Sequence, residues 1–275
     1  MTALAILVGA AVSAAVEPAP VRGHELRQTV TTREPAADGK ERLTRSTMRV
    51  YLAGDRARLE EDNGEVTVVR LDRGEVIRLD VLLESYDRKT LKQLRDGWRL
   101  ENAIQLEQIE SVPPNHPRRA QLVDMLTDGP SKWREIWKLP DGPARERLVR
   151  KYGLPERPPT VRVRTTEEKR AVAGQECLRY EALEDDRLAS WAYVGPGLPF
   201  DRRYYEFMEY EGWVGAELAA ELRNVRGLPL ESVLRYRSGV TVEFTTGDIS
   251  PRDLAPALFE VPEGYKERES RAGIR

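Results

Sequence analysis

The chain has 275 residues, of which 40% are hydrophobic and 33% are charged. A hydrophobic fraction of this size can form a substantial core, so we expect a globular protein rather than a disordered one. Lys and Arg number 44 and Asp and Glu number 46, which gives a formal net charge of −2. Because no global positive field would attract a polyanion, a nucleic-acid partner is not expected.

Residues 1–15 have the pattern of a secretory signal peptide. The segment is uncharged and mostly Leu, Ile, Val and Ala, and cleavage is expected near Ala14 or Ala15. The positively charged start typical of such peptides is missing. A transmembrane anchor is the alternative, but the apolar run is shorter than the about 20 residues that span a bilayer and meets Glu17 and Pro18. We therefore expect an exported soluble protein, periplasmic or extracellular, without a stable membrane span after cleavage.

Consecutive strands are predicted from His24 to Asp87, after an extended segment at residues 16–23. Apolar and polar residues alternate over Thr47–Leu52, which is typical of a strand with one buried face. Asp62-Asn63-Gly64 and Asp72-Arg73-Gly74 supply turn chemistry between further apolar runs. The pattern predicts an antiparallel meander with one apolar face and one solvated face. Ala57 and Leu59 are expected on the apolar face, and Arg56 and Arg58 on the solvated face.

A helical insertion is predicted over residues 88–153. Leu91 and Leu94 begin a run of apolar residues at helical spacing, and no strong breaker interrupts it before Pro113. Two shorter helices are predicted at Arg118–Leu126 and Ala144–Tyr152.

Strands are predicted to return after the charged, Pro-rich turn at residues 154–159. The predicted elements are strands at Thr160–Thr166, Glu176–Leu183 and Leu188–Val194, a helix from Phe200 to Val214, and a hairpin of Leu228–Tyr236 with Gly239–Thr246.

These elements predict a mainly β (α+β) fold. We expect a curved antiparallel open half-barrel sheet of about nine or ten strands, because strand twist curls a sheet of that size. The inserted helices would cover its concave face as a lid. The sheet and its insertion form one predicted domain over residues 24–265, with Leu258 and Phe259 in its core, followed by a charged tail at residues 266–275.

Motifs in each half of the chain and at its end carry a family resemblance. They are Tyr51–Glu60, Val69–Gly74 and Ser85-Tyr86 in the first half, Ala173–Tyr180 with Trp191 in the second half, and Gly227-Leu228-Pro229 with Leu258–Tyr265 at the end. The chain resembles exported bacterial proteins of unknown function that are similar to the lipoprotein-localisation (Lol) carriers. The resemblance implies an open β half-barrel with helices over a hydrophobic cavity. The long insertion departs from those carriers.

Few residues indicate catalysis or metal binding. His24 and His116 are the only histidines, and they lie far apart in the sequence. Together with the single cysteine they are too few to supply the ligands of a zinc site built from Cys and His. The single cysteine, Cys177, precludes an internal disulfide, and its place in a predicted strand favours a packed thiol over a reactive one. We predict no catalytic residue, no metal site and no cofactor, and we do not expect an enzyme.

Aromatic residues are the candidates for a ligand site. Several crowd the predicted helix from Phe200 to Val214, and others lie in the insertion. An aromatic helix over a concave sheet either lines a cleft or fills the core. The candidate hydrophobic cleft comprises Trp98, Trp133, Trp137, Tyr204, Phe207 and Trp213.

The predicted function is that of an exported, non-enzymatic envelope protein that binds a lipid or other hydrophobic small molecule in this cleft. The alternative is a structural or protein-interaction module of the cell envelope with a filled core and a protein partner. A hydrolase that uses dispersed carboxylates is a remote alternative, because no pair of them is brought together by sequence spacing.

Overall fold

The structure, a computed structural model, is dominated by one large open antiparallel sheet with a few helices. It describes residues 19–36, 40–113, 115–116, 118–119, 140–152, 160–198, 200–211, 213–236 and 239–268, without the side chains of residues 98–106. The predicted signal peptide and most of the predicted helix Arg118–Leu126 lie outside the described residues, as do Trp133 and Trp137.

Within the described ranges the sheet has twelve strands in the order β12-β6-β5-β4-β3-β2-β1-β11-β10-β9-β8-β7. Neighbouring strands are antiparallel, except that β12 runs parallel to β6. The strands are β1 Val21–Pro35, β2 Glu41–Ala53, β3 Arg56–Glu61, β4 Glu65–Arg70, β5 Glu75–Asp80, β6 Ser85–Thr90, β7 Val161–Val172, β8 Gln175–Glu184, β9 Arg187–Gly195, β10 Leu228–Arg235, β11 Thr241–Leu254 and β12 Lys266–Glu267.

The hairpins predicted in the first half of the chain form as expected. Gly64 and Gly74 occupy the turns after β3 and β4 with φ of 86° and 64°. Glycine adopts this left-handed conformation without the steric cost that a Cβ would add. The turns therefore set the register in which Val69 pairs with Ala57 on one side and Val76 on the other.

The first strand joins the two β halves into one sheet. β1 pairs along its length with β2 and also with β11, so that Leu26 lies opposite Val50 on one side and Ile249 on the other. Because β1 and β11 are far apart in sequence, this pairing completes the sheet only after the chain has returned from the insertion.

Both faces of the sheet are covered at β4 and β5, which corrects for these strands the prediction of one apolar and one solvated face. Val68 and Val69 are successive residues of β4 and each is 0% exposed. Val69 packs in the core cluster of one face, and Val68 packs in the cluster of the opposite face. The second cluster contains Phe259, from a 3₁₀ turn at Pro256–Phe259. The C-terminal segment therefore covers the face that sequence alternation assigned to solvent.

Two arginines of the covered face hold this segment. Arg58, predicted to point into water, is instead half-buried and its Nη1 donates to the carbonyl oxygen of Leu258 at 3.3 Å. Arg70 donates from Nε and Nη2 to Asp72 at 2.9 and 2.7 Å, and from Nη1 to the carbonyl oxygen of Phe259 at 3.2 Å. Its Nη1 also donates to the Glu260 carboxylate. The guanidinium thus joins the β4 end to the C-terminal segment.

Four α-helices lie wholly within the described residues: α1 Leu91–Ser111, α2 Pro143–Tyr152, α3 Tyr204–Tyr210 and α4 Ala216–Leu222. Thr90 and Gln93 form a reciprocal capping box at the start of α1. The single helix predicted from Phe200 to Val214 is shorter than expected, and α4, which follows it, was not predicted. Gly215 separates the two as the N-cap of α4.

Candidate ligand cavity

A cavity lies between the sheet and the segment from Phe200 to Val225, which includes α3 and α4. Its volume is about 180 Å³. An apolar cavity of about 150 Å³ can stay dry and bind a molecule the size of benzene. The space is therefore large enough for a small apolar molecule or part of an acyl chain.

Apolar side chains from the first half of the sheet form one side of the cavity. Leu26, Val50 and Leu59 line it and lie opposite one another across β1, β2 and β3. Residues paired across neighbouring strands point to the same face of a sheet. The register of these strands therefore places a continuous apolar row beneath the space.

The second half of the sheet supplies two small side chains between larger ones. Ala192 of β9 lies between Tyr180 of β8 and Ser232 of β10, and Ser232 lies opposite Phe244 of β11. All four residues line the cavity. Because Ala and Ser occupy little volume, this part of the sheet leaves room above it.

Aromatic rings from α3 and its flanking residues form the opposite side. Phe200 stacks on Tyr204 with ring centroids 5.2 Å apart and meets Tyr205 edge-on at 5.3 Å. Phe207 and Trp213 form a second edge-on pair at 5.6 Å. Such pairs add to the free energy of apolar burial and hold the rings in fixed orientations.

The structure brings together three of the six residues predicted for the cleft. Tyr204, Phe207 and Trp213 all line the cavity. Trp98 lies in α1, but its side chain is outside the described part of the chain, as are Trp133 and Trp137. No described residue of the insertion lines the cavity. A role for the six in ligand binding stays a prediction.

Sequence reasoning missed the contribution of the segment that follows α3. Val214, Leu222 and Val225 line the cavity together with the sheet residues named above. A signal for this segment exists, because the sequence of α4 consists only of Ala, Glu and Leu, which are strong helix formers. What the sequence could not show is that this helix packs over the sheet.

Glu181 is the one charged residue among the described residues that line the cavity. Arg164 and Arg179 donate to its carboxylate at 2.7 and 3.0 Å. The hydrogen bond from Arg164 is the main reason that the pKa of Glu181 lies below its ordinary value. The carboxylate is therefore ionised and neutralised by its partners, which does not suit a general acid.

Polar atoms of the cavity are otherwise few. The Gln28 side-chain amide donates to the hydroxyl of Thr246 at 3.1 Å. The hydroxyls of Tyr204 and Tyr205 are buried and have no hydrogen-bond partner in the described protein. Burial raises the pKa of both tyrosines, so both hydroxyls keep their protons and are able to donate.

Other groups considered for chemistry lie apart from the cavity or from one another. Cys177 is fully buried, and its Sγ donates to the carbonyl oxygen of Gln175 at 3.4 Å. Burial raises the pKa of this thiol, which disfavours the reactive thiolate. In the part of the chain that the structure describes, no three His, Cys, Asp or Glu side chains are grouped as a metal site requires.

A bilayer-spanning helix is not found among the described residues, because none of the helices there is long and apolar enough.

Comparisons with known proteins find similarity in solved structures only. No family model and no curated protein matches the chain. A LolA superfamily protein from Nitrosomonas europaea is similar at 9% identity and a TM-score of 0.32, over 86% of this chain and 90% of that one. MucB is similar at 14% identity and a TM-score of 0.33, over 88% of this chain and 57% of that one. A DUF1329 family protein from Desulfovibrio piger is similar at 8% identity and a TM-score of 0.28, over 88% of this chain and 90% of that one. The first of these carries the name of the superfamily that the sequence motifs indicated, and the finding is one of similarity alone.

Proposed function

We propose that this chain is an exported, non-enzymatic carrier or binding protein of the cell envelope that holds a hydrophobic molecule, such as an acyl chain, in the cavity. The observation that carries this proposal is a cavity of about 180 Å³, lined mostly by apolar side chains, between the sheet and the segment that includes α3 and α4. On this proposal the sheet corresponds to the predicted half-barrel. The helices α3 and α4 act as the lid, a role that the sequence analysis gave to the inserted helices.

The size of the space favours a ligand over a filled core. Protein interiors are close-packed, and voids larger than a water molecule are few in a domain. An apolar void left empty forfeits dispersion contacts along its whole lining and lowers stability. A hydrophobic ligand would restore those contacts, whereas water would find few hydrogen-bond partners on Leu26, Val50 and Leu59.

A blocking variant tests the proposal. Ala192→Phe places a ring in the space between Tyr180 and Ser232, whereas the matched control Ala171→Phe adds the same ring at an exposed position of β7. We expect the wild-type chain and the control to bind the apolar fluorophore phenylnaphthylamine with equal affinity. We expect Ala192→Phe to weaken binding at least about 10-fold while its circular dichroism remains native.

Native mass spectrometry of the protein purified from its host supplies a second readout. Co-purifying lipid that is depleted in Ala192→Phe supports a carrier. Failure of the wild-type chain to bind the fluorophore, together with repeated absence of lipid, would refute the proposal and favour the structural module with a filled core.

A further inference from the structure

Residues 41–46 of β2 extend beyond the neighbouring strand β3. The turn after β3 reaches only as far as Thr47, whose amide donates to the Asp62 carboxylate at 2.8 Å and whose carbonyl oxygen accepts from the Asp62 amide at 3.1 Å. Beyond Thr47, β2 pairs with β1 alone among the described residues. Residues 41–46 therefore form an open sheet edge, which we call the β2 edge.

Alternate residues of the β2 edge direct their backbone groups away from β1. In an antiparallel sheet, successive residues of a strand bond to opposite neighbours. Thr47 bonds on the β3 side, so Arg45, Leu43 and Glu41 present their N–H and C=O groups on that same side. The β2 edge therefore offers a row of donors and acceptors that a further strand would satisfy.

A second copy of the β2 edge matches the first in charge. When two such edges pair antiparallel about a two-fold axis at Leu43, Leu43 meets its own copy and Glu41 meets Arg45 on both sides of the axis. Opposite charges and apolar side chains that face each other across two strands stabilise the pairing. All three residues are exposed. The contact that Glu41 already makes with Arg33, at 3.7 Å, is also exposed and therefore weak.

Neighbouring registers of the same pairing are less favourable. An axis at Arg42 places two arginines opposite each other, and an axis at Thr44 places Arg45 opposite Leu43. Charged side chains on a sheet edge ordinarily prevent pairing with another chain. In the register centred on Leu43, however, no like charges lie opposite one another, so the charges specify that register.

The large apolar side chains that are exposed in the described part of the chain lie where the second copy would reach. They are Leu43, 54% exposed, and the tip of the β5–β6 hairpin, where Val81, Leu82 and Leu83 are 46%, 94% and 69% exposed. In the paired register the second copy's β2, β1, β11 and β10 extend the sheet beyond the ends of β3, β4, β5 and β6, in that order. The end of its β10–β11 hairpin therefore faces the apolar tip.

The β2 edge favours a protein over a bilayer as the partner of this surface. Inside a bilayer its N–H and C=O groups would lose water without gaining partners, whereas a second strand replaces those hydrogen bonds. A stable protein interface takes about 20–30 residues a side, more than the β2 edge alone supplies. The contact at the apolar tip enlarges the interface, and the two-fold axis repeats it.

We propose that this chain forms a symmetric dimer in which the β2 edges of two copies pair antiparallel about Leu43 and join the two sheets into one. The inference goes beyond the proposed ligand binding and does not depend on it. Glu41, Leu43 and Arg45 lie on the face opposite Met48 and Val50, which line the cavity.

Charge reversal on the β2 edge tests the dimer. Sedimentation velocity of the purified protein at about 1–100 µM measures its association. Arg45→Glu places two carboxylates opposite each other, and Glu41→Arg places two guanidinium groups opposite each other. We expect each variant to weaken dimerisation at least about 10-fold, because symmetry repeats the repulsion.

The double variant Glu41→Arg/Arg45→Glu exchanges the two charges and should restore the dimer. Arg42→Glu is the matched control. It makes the same charge change on the same strand, opposite Thr44 of the second copy, and should change the affinity less than about 2-fold. All four variants change exposed residues, and each should keep a native circular dichroism spectrum.

A cross-link tests the register directly. Residues that face each other in a hydrogen-bonded pair have Cα atoms about 5.5 Å apart, within the range that a disulfide spans. Mild oxidation should therefore join two copies of Leu43→Cys. It should not join two copies of Arg42→Cys, which do not face each other. The native Cys177 is buried and does not interfere.

The outcomes separate cleanly. Loss of the dimer in both single reversals, with recovery in the double variant and a cross-link at Leu43→Cys, supports the inference. A wild-type chain that stays monomeric at every concentration overturns it. So does a dimer that persists in the single reversals, that fails to recover in the double variant, or that gives no cross-link. Affinity for phenylnaphthylamine should be equal in the wild type and the charge variants, so the proposed function is tested separately.

Discussion

Replacing Arg70 with Met tests whether the C-terminal segment is held to the sheet by charge as well as by burial of Phe259. The Arg70 side chain is 3% exposed, and Met would retain much of its volume while losing the hydrogen bonds to Asp72, Phe259 and Glu260. Breaking a fully buried ion pair costs about 3–5 kcal/mol, largely because the remaining charge is left unpaired.

The expected cost here is smaller, because the remaining partners can reach water. Asp72 and Glu260 are 22% and 41% exposed, so both carboxylates would be partly hydrated after the substitution. The carbonyl oxygen of Phe259 would lose a charged donor at a buried position. We therefore expect Arg70→Met to lower the free energy of unfolding by about 2–3 kcal/mol.

Urea unfolding followed by circular dichroism measures this change, and Arg73→Met is the matched control. Arg73 donates to the same Glu260 carboxylate at 3.1 Å but is 48% exposed, so its removal should cost less than about 1 kcal/mol. Equal costs for the two variants would refute the reasoning and leave burial of Phe259 as the main anchor. Affinity for phenylnaphthylamine should be unchanged in both, because Arg70 lies on the face opposite the cavity.

Two further predictions concern titratable groups. The hydrogen bond from Arg70 holds the pKa of Asp72 in the folded protein below its ordinary value. The stabilisation that results is fully present above about pH 4, the pKa of Asp in the unfolded chain, and is lost as the pH falls through the lower pKa of the folded state. Urea midpoints of Asp72→Asn should therefore fall less steeply below about pH 4 than those of the wild type, and an equally steep fall would contradict this assignment. Because burial raises the pKa of Cys177, a disulfide reagent should label the native thiol at least about 100-fold more slowly than the unfolded one. Rapid labelling of the native chain would show that the thiol is accessible, which would contradict the interpretation that Cys177 is packed in the core.

Local signals were sufficient for much of the sheet. The turns at Gly64 and Gly74 and the alternation over Thr47–Leu52 predicted hairpins that the structure contains. These features are readable because a two-strand hairpin depends on residues within about ten positions of one another. The same locality predicted helix α1 from its apolar spacing, and the structure adds its capping box.

Long-range contacts were beyond sequence reasoning. Alternation predicted that Arg58 faces water, but the C-terminal segment folds back over that face and accepts its hydrogen bond at Leu258. The periodicity of a strand gives the side on which a residue lies, and says nothing of what later covers that side. The contribution of α4 to the cavity was missed for the same reason.

The amino-acid sequence by itself determined the mainly β, antiparallel character of this protein, through turn residues and strand periodicity that act over a few positions. Tertiary structure alone decided that β1 joins β11, that both faces of the sheet are covered at β4 and β5, and that α3 and α4 border a cavity. The physical reason is that burial is a property of surfaces brought together from distant parts of the chain. Tyr204 and Tyr205 illustrate this, because their hydroxyls, which have no hydrogen-bond partner among the described residues, are buried only once the helix lies against the sheet.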